Sequence, residues 1–80
     1  MTDSELLIST ITECGISQSE IARELGITRQ GLWKKINNRS EFKQSEIEKL
    51  ARLLNLDFEL NSKIFFKNFV GDTSTTGRNQ

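Results

Sequence analysis

The chain has 80 residues and a mass of 9.2 kDa, which allows one domain, because cores are rarely divided below roughly 100 residues, and excludes a catalytic cleft between two domains. Apolar residues make up 35% and charged residues 28%, with 11 basic and 11 acidic side chains for a formal net charge of zero. The core is therefore small, and only the distribution of charge, not its total, can point to a nucleic-acid partner.

Histidine is absent and Cys14 is the only cysteine. The usual structural zinc ligand set cannot be assembled, and neither can an internal disulfide, which suits a reducing compartment. No apolar run approaches the roughly 18 residues of a membrane span. The acidic start Met1-Thr2-Asp3-Ser4-Glu5 does not read as a signal peptide.

In chain order, the first predicted helix runs from Asp3 to Cys14. Leu7, Ile11 and Cys14 form an apolar face with Ile8 beside them, Thr2 or Asp3 caps the start, and Gly15 stops the end. Cys14 reads as a small core residue. Ser17-Gln18-Ser19-Glu20 is a capping box, with Ile16 and Ile21 at the spacing of a hydrophobic staple. Ile21, Ala22 and Leu25 form the buried face of this second helix, and Gly26 ends it. Thr28 caps a third helix in which Leu32 and Ile36 are buried, and Ile27 and Leu32 repeat the staple. Asn37-Asn38-Arg39-Ser40 reads as a loop, since Asn tolerates left-handed backbone.

A fourth helix spans about Gln44 to Asn55 on Ile47, Leu50, Ala51 and Leu54, with Phe42 packing beneath it. Leu56-Asp57-Phe58-Glu59-Leu60 alternates with period two, as a short strand or as an extended connector that drops three side chains into the core. A last helix is predicted from about Ser62 to Val70, capped by Asn61 and ended by Gly71. Residues 1–71 form the domain, and 72–80, without an apolar residue, form a predicted disordered tail. The fold class is all-α, a compact bundle of about five short helices.

Ser17 to Ile36 carries the functional signal. Two short helices are joined by a tight turn at Gly26-Ile27, with the small Ala22 where they must approach, which is the helix-turn-helix pattern. Its second helix projects as a rod that fits the major groove, about residues 28–37 here. The run from Ser17 through Gln30 resembles the phage repressor and Cro-like (XRE-type) helix-turn-helix family. Over the whole chain, including Ile64-Phe65-Phe66, the sequence is similar to small Cro-like or repression-modulator regulators from phages of Gram-positive bacteria. One departure is Asn38, which stands where many members place a glycine.

The resemblance implies a transcription regulator that binds a double-stranded DNA operator in the bacterial host cytoplasm, with no cofactor and no metal. By position, Arg29, Gln30 and Lys34 reach base edges, since Arg suits guanine and Gln suits adenine. Gln18, Thr28, Lys35, Asn37 and Arg39 are the phosphate candidates. The charge map agrees independently: residues 25–40 hold Arg29, Lys34, Lys35 and Arg39 and no acid, a local +4 that leaves −4 for the remainder. Trp33 either packs against Phe42 or the fourth helix, or lies against DNA.

Phe65, Phe66, Phe69 and Val70 cannot all face inward on one short helix, so they form a candidate dimer or partner interface. The alternative function is a protein-interaction module that modulates a partner repressor, as co-repressor, antirepressor or antitoxin, without strong DNA binding of its own. An enzyme is not expected. The chain has no histidine, no nucleophile–base pair and no glycine-rich phosphate loop.

Overall fold

A computed structural model describes residues 1–66. Among them are five helices and no strand: α1 (Ser4–Cys14), α2 (Gln18–Leu25), α3 (Arg29–Ile36), α4 (Gln44–Leu53) and α5 (Phe58–Phe65). The all-α bundle with a helix-turn-helix at α2–α3 is as the sequence predicts. The expected helical residues up to Val70, the stop at Gly71, the interface residues Phe69 and Val70 and the tail 72–80 lie outside the described residues.

Helix starts follow from orphan backbone donors in each first turn. The side chains of Asp3, Ser17, Thr28 and Asp57 accept the N–H of Leu6, Glu20, Gly31 and Leu60 respectively. Lys43 precedes α4 and has no acceptor to offer. There the Glu46 carboxylate reaches back instead and accepts the Lys43 N–H at 2.8 Å. Helix ends follow from left-handed residues. At Gly26 (φ 73°), Asn38 (φ 63°) and Asn55 (φ 55°) the chain turns. The next N–H then returns to the last helical turn, from Ile27 to Ala22 O at 3.0 Å, from Arg39 to Lys34 O at 2.8 Å, and from Leu56 to Ala51 O at 2.8 Å. Asn38 thus adopts the backbone geometry that a glycine would supply.

Every helix places at least one fully buried side chain in a single core: Leu7 of α1, Ile21 of α2, Leu32 and Ile36 of α3, Leu50 of α4 and Ile64 of α5. Ile16, Ile27, Phe42, Leu56 and Leu60 cover its margins, and Phe42 meets Phe65 edge-on with ring centroids 5.4 Å apart. α2 packs on both α3 and α4, and α1 packs on α3 and α5.

Four expectations are corrected. First, Leu56–Leu60 is neither strand nor core-filling connector. Asp57 caps α5 four residues before Asn61, and Phe58 is 86% exposed. Leu60 and Ile64 are spaced i, i+4 on α5 and face the core without any strand partner, while Leu56 precedes the cap and packs at the core margin. Second, Asn61 lies inside α5 rather than capping it, and its buried Oδ1 has no hydrogen-bond partner among the described residues. Third, the earlier start turns Ile64 and Phe65 into the core. Phe65 is only 4% exposed, so it is a core residue and not part of an interface, while Phe66 is half-buried. Fourth, Cys14 is exposed and touches only the edge of the bundle, its thiol donating to Leu54 O at 3.5 Å. Thr10, one turn earlier, is buried in its place, because the last turn of α1 runs past the core.

The N-terminal residues tie the bundle together. The Thr2 N–H donates to Asn38 Oδ1 and Asn38 Nδ2 donates to Thr2 O, both at 2.9 Å. The Ser4 hydroxyl donates to Ile36 O, and the Asp3 N–H donates to Ile64 O at 2.7 Å. Residues 2–4 therefore join the C-terminal ends of α3 and α5. Asn38→Gly keeps the turn but removes both bonds to Thr2, so it is expected to destabilise by about 1–2 kcal/mol. Asn38→Ala adds roughly 1 kcal/mol of left-handed strain. Urea unfolding checks both, and an Asn38→Gly protein as stable as its parent would show that this strap contributes nothing.

Candidate nucleic-acid interface

α3 is anchored through one face and displays the other. Leu32 and Ile36, spaced i and i+4, are fully buried, and this sets the roll of the helix. Gln30, Trp33, Lys34 and Asn37 then fall on the outward sector and are exposed, while Arg29, at i−3 from Leu32, is exposed because it is the first residue of the helix. The three expected base-reading residues, Arg29, Gln30 and Lys34, are brought together here on the first turn and a half of α3.

The expected phosphate contacts divide into three kinds. Gln18 is half-buried at the first position of α2, and Thr28 sits exposed at the cap of α3 with its hydroxyl accepting the Gly31 N–H at 2.9 Å. Asn37 and Arg39 close the C-terminal end. The Asn37 amide donates to Trp33 O at 2.9 Å, and the Arg39 guanidinium lies over the Trp33 ring, 5.4 Å from its centroid. Trp33 itself is 48% exposed. About half of its surface therefore remains open to a partner.

Lys35 is placed differently from the others. Its ammonium donates to both oxygens of Glu46, at 2.6 and 2.8 Å, and the two side chains are only 13% and 8% exposed. It points inward to α4 and is neutralised there. Burial alone raises the Glu46 carboxyl, but the hydrogen bonds from Lys35 and from the Lys43 N–H, with the charges of both lysines, hold it below the ordinary value of 4.5. What remains on the outward side of α3 and its following loop is Arg29, Lys34 and Arg39, with no acidic residue anywhere in 25–40.

Two contributors escaped the sequence reading. Glu46 lies in the first turn of α4, and Lys43-x-x-Glu46 has the spacing for its carboxylate to reach back. Gly31 was passed over, yet a glycine inside a helix costs about 1 kcal/mol relative to Ala and so signals a close approach. A Cβ there would stand 3.2 Å from the Thr28 hydroxyl that caps the helix. Away from this face, an open cleft of about 430 Å³ is lined by Met1, Thr2, Asn38, Phe42, Phe65 and Phe66 among others, and none of the expected base-reading residues reaches it. No helix among the described residues is long and apolar enough to cross a membrane.

A family model described as Helix-turn-helix matches residues 10–61, which is more than half of the chain and includes all of α2, α3 and α4. No curated protein and no solved structure matches the chain.

The Lys35–Glu46 pair carries its own expectation. Because folding lowers the Glu46 pKa, the pair contributes stability that is complete above the unfolded value near 4.5 and is lost as pH falls below it through the folded value. Glu46→Gln leaves a buried ammonium without a counter-charge and is expected to cost on the order of 3 kcal/mol. The double variant Lys35→Met with Glu46→Leu is expected to restore much of that loss and to flatten the stability profile below the ordinary carboxylate value of 4.5. Chemical unfolding across that pH range checks it. A Glu46→Gln protein with unchanged stability would show that the pair is solvated in solution.

Proposed function

The chain belongs to the XRE-type helix-turn-helix family of DNA-binding transcription regulators, and from that footing we propose that it is a Cro-like, sequence-specific regulator of the kind phages carry, placing α3 in the major groove of operator DNA. The observation that carries this reading is the exposed cluster of Arg29, Gln30 and Lys34 on a helix whose other face is locked into the core. Arg29 and Gln30 project from the first turn, where a recognition helix meets base edges. A guanidinium pairs with guanine O6 and N7, and a carboxamide with adenine N6 and N7. Lys34 extends the contact one turn further on.

Gln18, Thr28, Asn37 and Arg39 flank this cluster and are assigned to the phosphates on either side of the groove. Lys35 is left out of that set, because Glu46 already holds and neutralises it. The protein acts as a homodimer, reading two half-sites about 34 Å apart on one face of the duplex. A subunit contact on α5 is supported by Phe58, a large apolar side chain left 86% exposed. The same surface supports the second reading, in which α5 docks on a partner repressor.

Binding to the DNA flanking its own gene, followed by fluorescence anisotropy over a salt series, tests the proposal. With Arg39 on a phosphate and the charges of Arg29 and Lys34 inside the groove, the log–log salt slope is expected to lie between about −1 and −3 per protomer. Arg29→Ala and Gln30→Ala are expected to cost about 1–3 kcal/mol each and to relax the preference for the native duplex. Equal affinity for native and scrambled DNA would remove the operator-binding reading and favour the partner module. For the subunit contact, sedimentation equilibrium of Phe58→Asp is expected to show monomer where the parent shows dimer. A parent that stays monomeric and binds one copy per duplex would exclude it.

A further inference from the structure

We propose that Trp33 is a specificity-determining residue that reads the 5-methyl group of thymine in the major groove; this rests on the DNA-binding reading above. The indole occupies the middle of the displayed face of α3, one turn from Arg29 on one side and one turn from Asn37 on the other. It is the chain's single tryptophan, and it is 48% exposed.

Both neighbours act on its position. The Asn37 amide is bonded back to the Trp33 carbonyl, which braces the helix end where the ring stands. Arg39 covers the ring with its guanidinium 5.4 Å from the centroid, and the rest of the ring stays open to whatever faces α3. Arg29, Lys34 and Arg39 lie within six residues of it in a stretch, 25–40, that holds no acid, so a polyanion suits this face. The indole N–H can donate a single hydrogen bond to a phosphate oxygen, but the ring brings no charge to it. The ring does have an apolar surface, and among the base edges of the major groove thymine alone presents an apolar group, its C5-methyl. The ring projects from the same outward sector as Gln30 and Lys34, among groups that reach base edges rather than beyond them.

The test uses the full chain and a duplex that the protein itself selects from a random pool. Each thymine of the selected half-site is replaced in turn by deoxyuridine, which deletes only the methyl group. At one position per half-site the parent protein is expected to bind about four-fold more weakly, the value of one buried methyl. Trp33→Ala, with helix content verified by circular dichroism, is expected to lose that discrimination, and Trp33→Phe to keep part of it. Trp33 emission is expected to shift to shorter wavelength on the thymine duplex and less on the uracil duplex. A selected site without thymine, a neutral uracil replacement at every position, or a Trp33→Ala protein that still discriminates would each overturn the inference while leaving operator binding intact. Failure to select any duplex over scrambled DNA would overturn the operator-binding reading first and this inference with it.

Discussion

An eight-residue helix is not stable alone in water, because nucleation costs more than two turns of hydrogen bonds return. α3 is such a helix, and the rest of the molecule can be understood as the means of holding it rigid while touching only one of its faces. Leu32 and Ile36 supply the anchor, and both are fully buried among Leu7, Ile21, Leu50 and Ile64. α1 and α2 pack directly on α3, and α4 backs α2. The Thr28 cap removes one orphan donor at the start. At the end, Asn38 turns the chain in the left-handed region and ties it to Thr2, while the Ser4 hydroxyl takes the Ile36 carbonyl. A recognition element fixed at its base and at both ends loses little freedom on docking, and ordering costs at an interface are what pre-organisation avoids.

The same helix has to sort its charges. The chain carries as many acids as bases, so any attraction for a polyanion depends on where they sit. Lys35 points toward the core side and would be stranded there without Glu46. The two hydrogen bonds to its ammonium neutralise it and link α3 to α4. Such buried pairs add little net stability over apolar replacements, so what this one does is geometric: a carboxylate gripping one ammonium with both oxygens restrains α3 against rolling. Arg29, Lys34 and Arg39 stay outside the core, undiluted by any nearby acid in residues 25–40. Arg39 lies over the indole of Trp33, so the outward side of α3 carries a half-exposed apolar ring beside a guanidinium.

Local signals make much of this legible in the sequence. The starts of α1, α2 and α3 and the stops at Gly15 and Gly26 were read from capping and turn chemistry, which acts within four residues and so is written in the sequence nearby. The buried pair Leu32 and Ile36 follows from helical period, whereas Arg29, Gln30 and Lys34 are singled out by the resemblance to the helix-turn-helix family. The start of α5 is ambiguous in the sequence because Leu56, Phe58 and Leu60 satisfy a period of two while Leu60 and Ile64 satisfy a helical spacing of four. Over five residues the two patterns cannot be separated without knowing which surface covers them. Phe65 changed from interface to core for that reason, since a helix that starts four residues earlier presents a different side at its last turn.

What the sequence by itself determined is therefore the set of short-range events: where helices start and stop, which face of each is apolar, and that a basic, acid-free stretch coincides with the second helix of a helix-turn-helix. The tertiary structure decided everything that depends on residues far apart in the chain. It set Asn38 against Thr2, Lys35 against Glu46 and the thiol of Cys14 against the end of α4. A free lysine and a buried one, or a core cysteine and an exposed one, look the same in a one-dimensional pattern. Side-chain chemistry is a property of the residue, but burial and pairing belong to the whole packed bundle, and those two quantities determine which of the charges on α3 remain available to a partner.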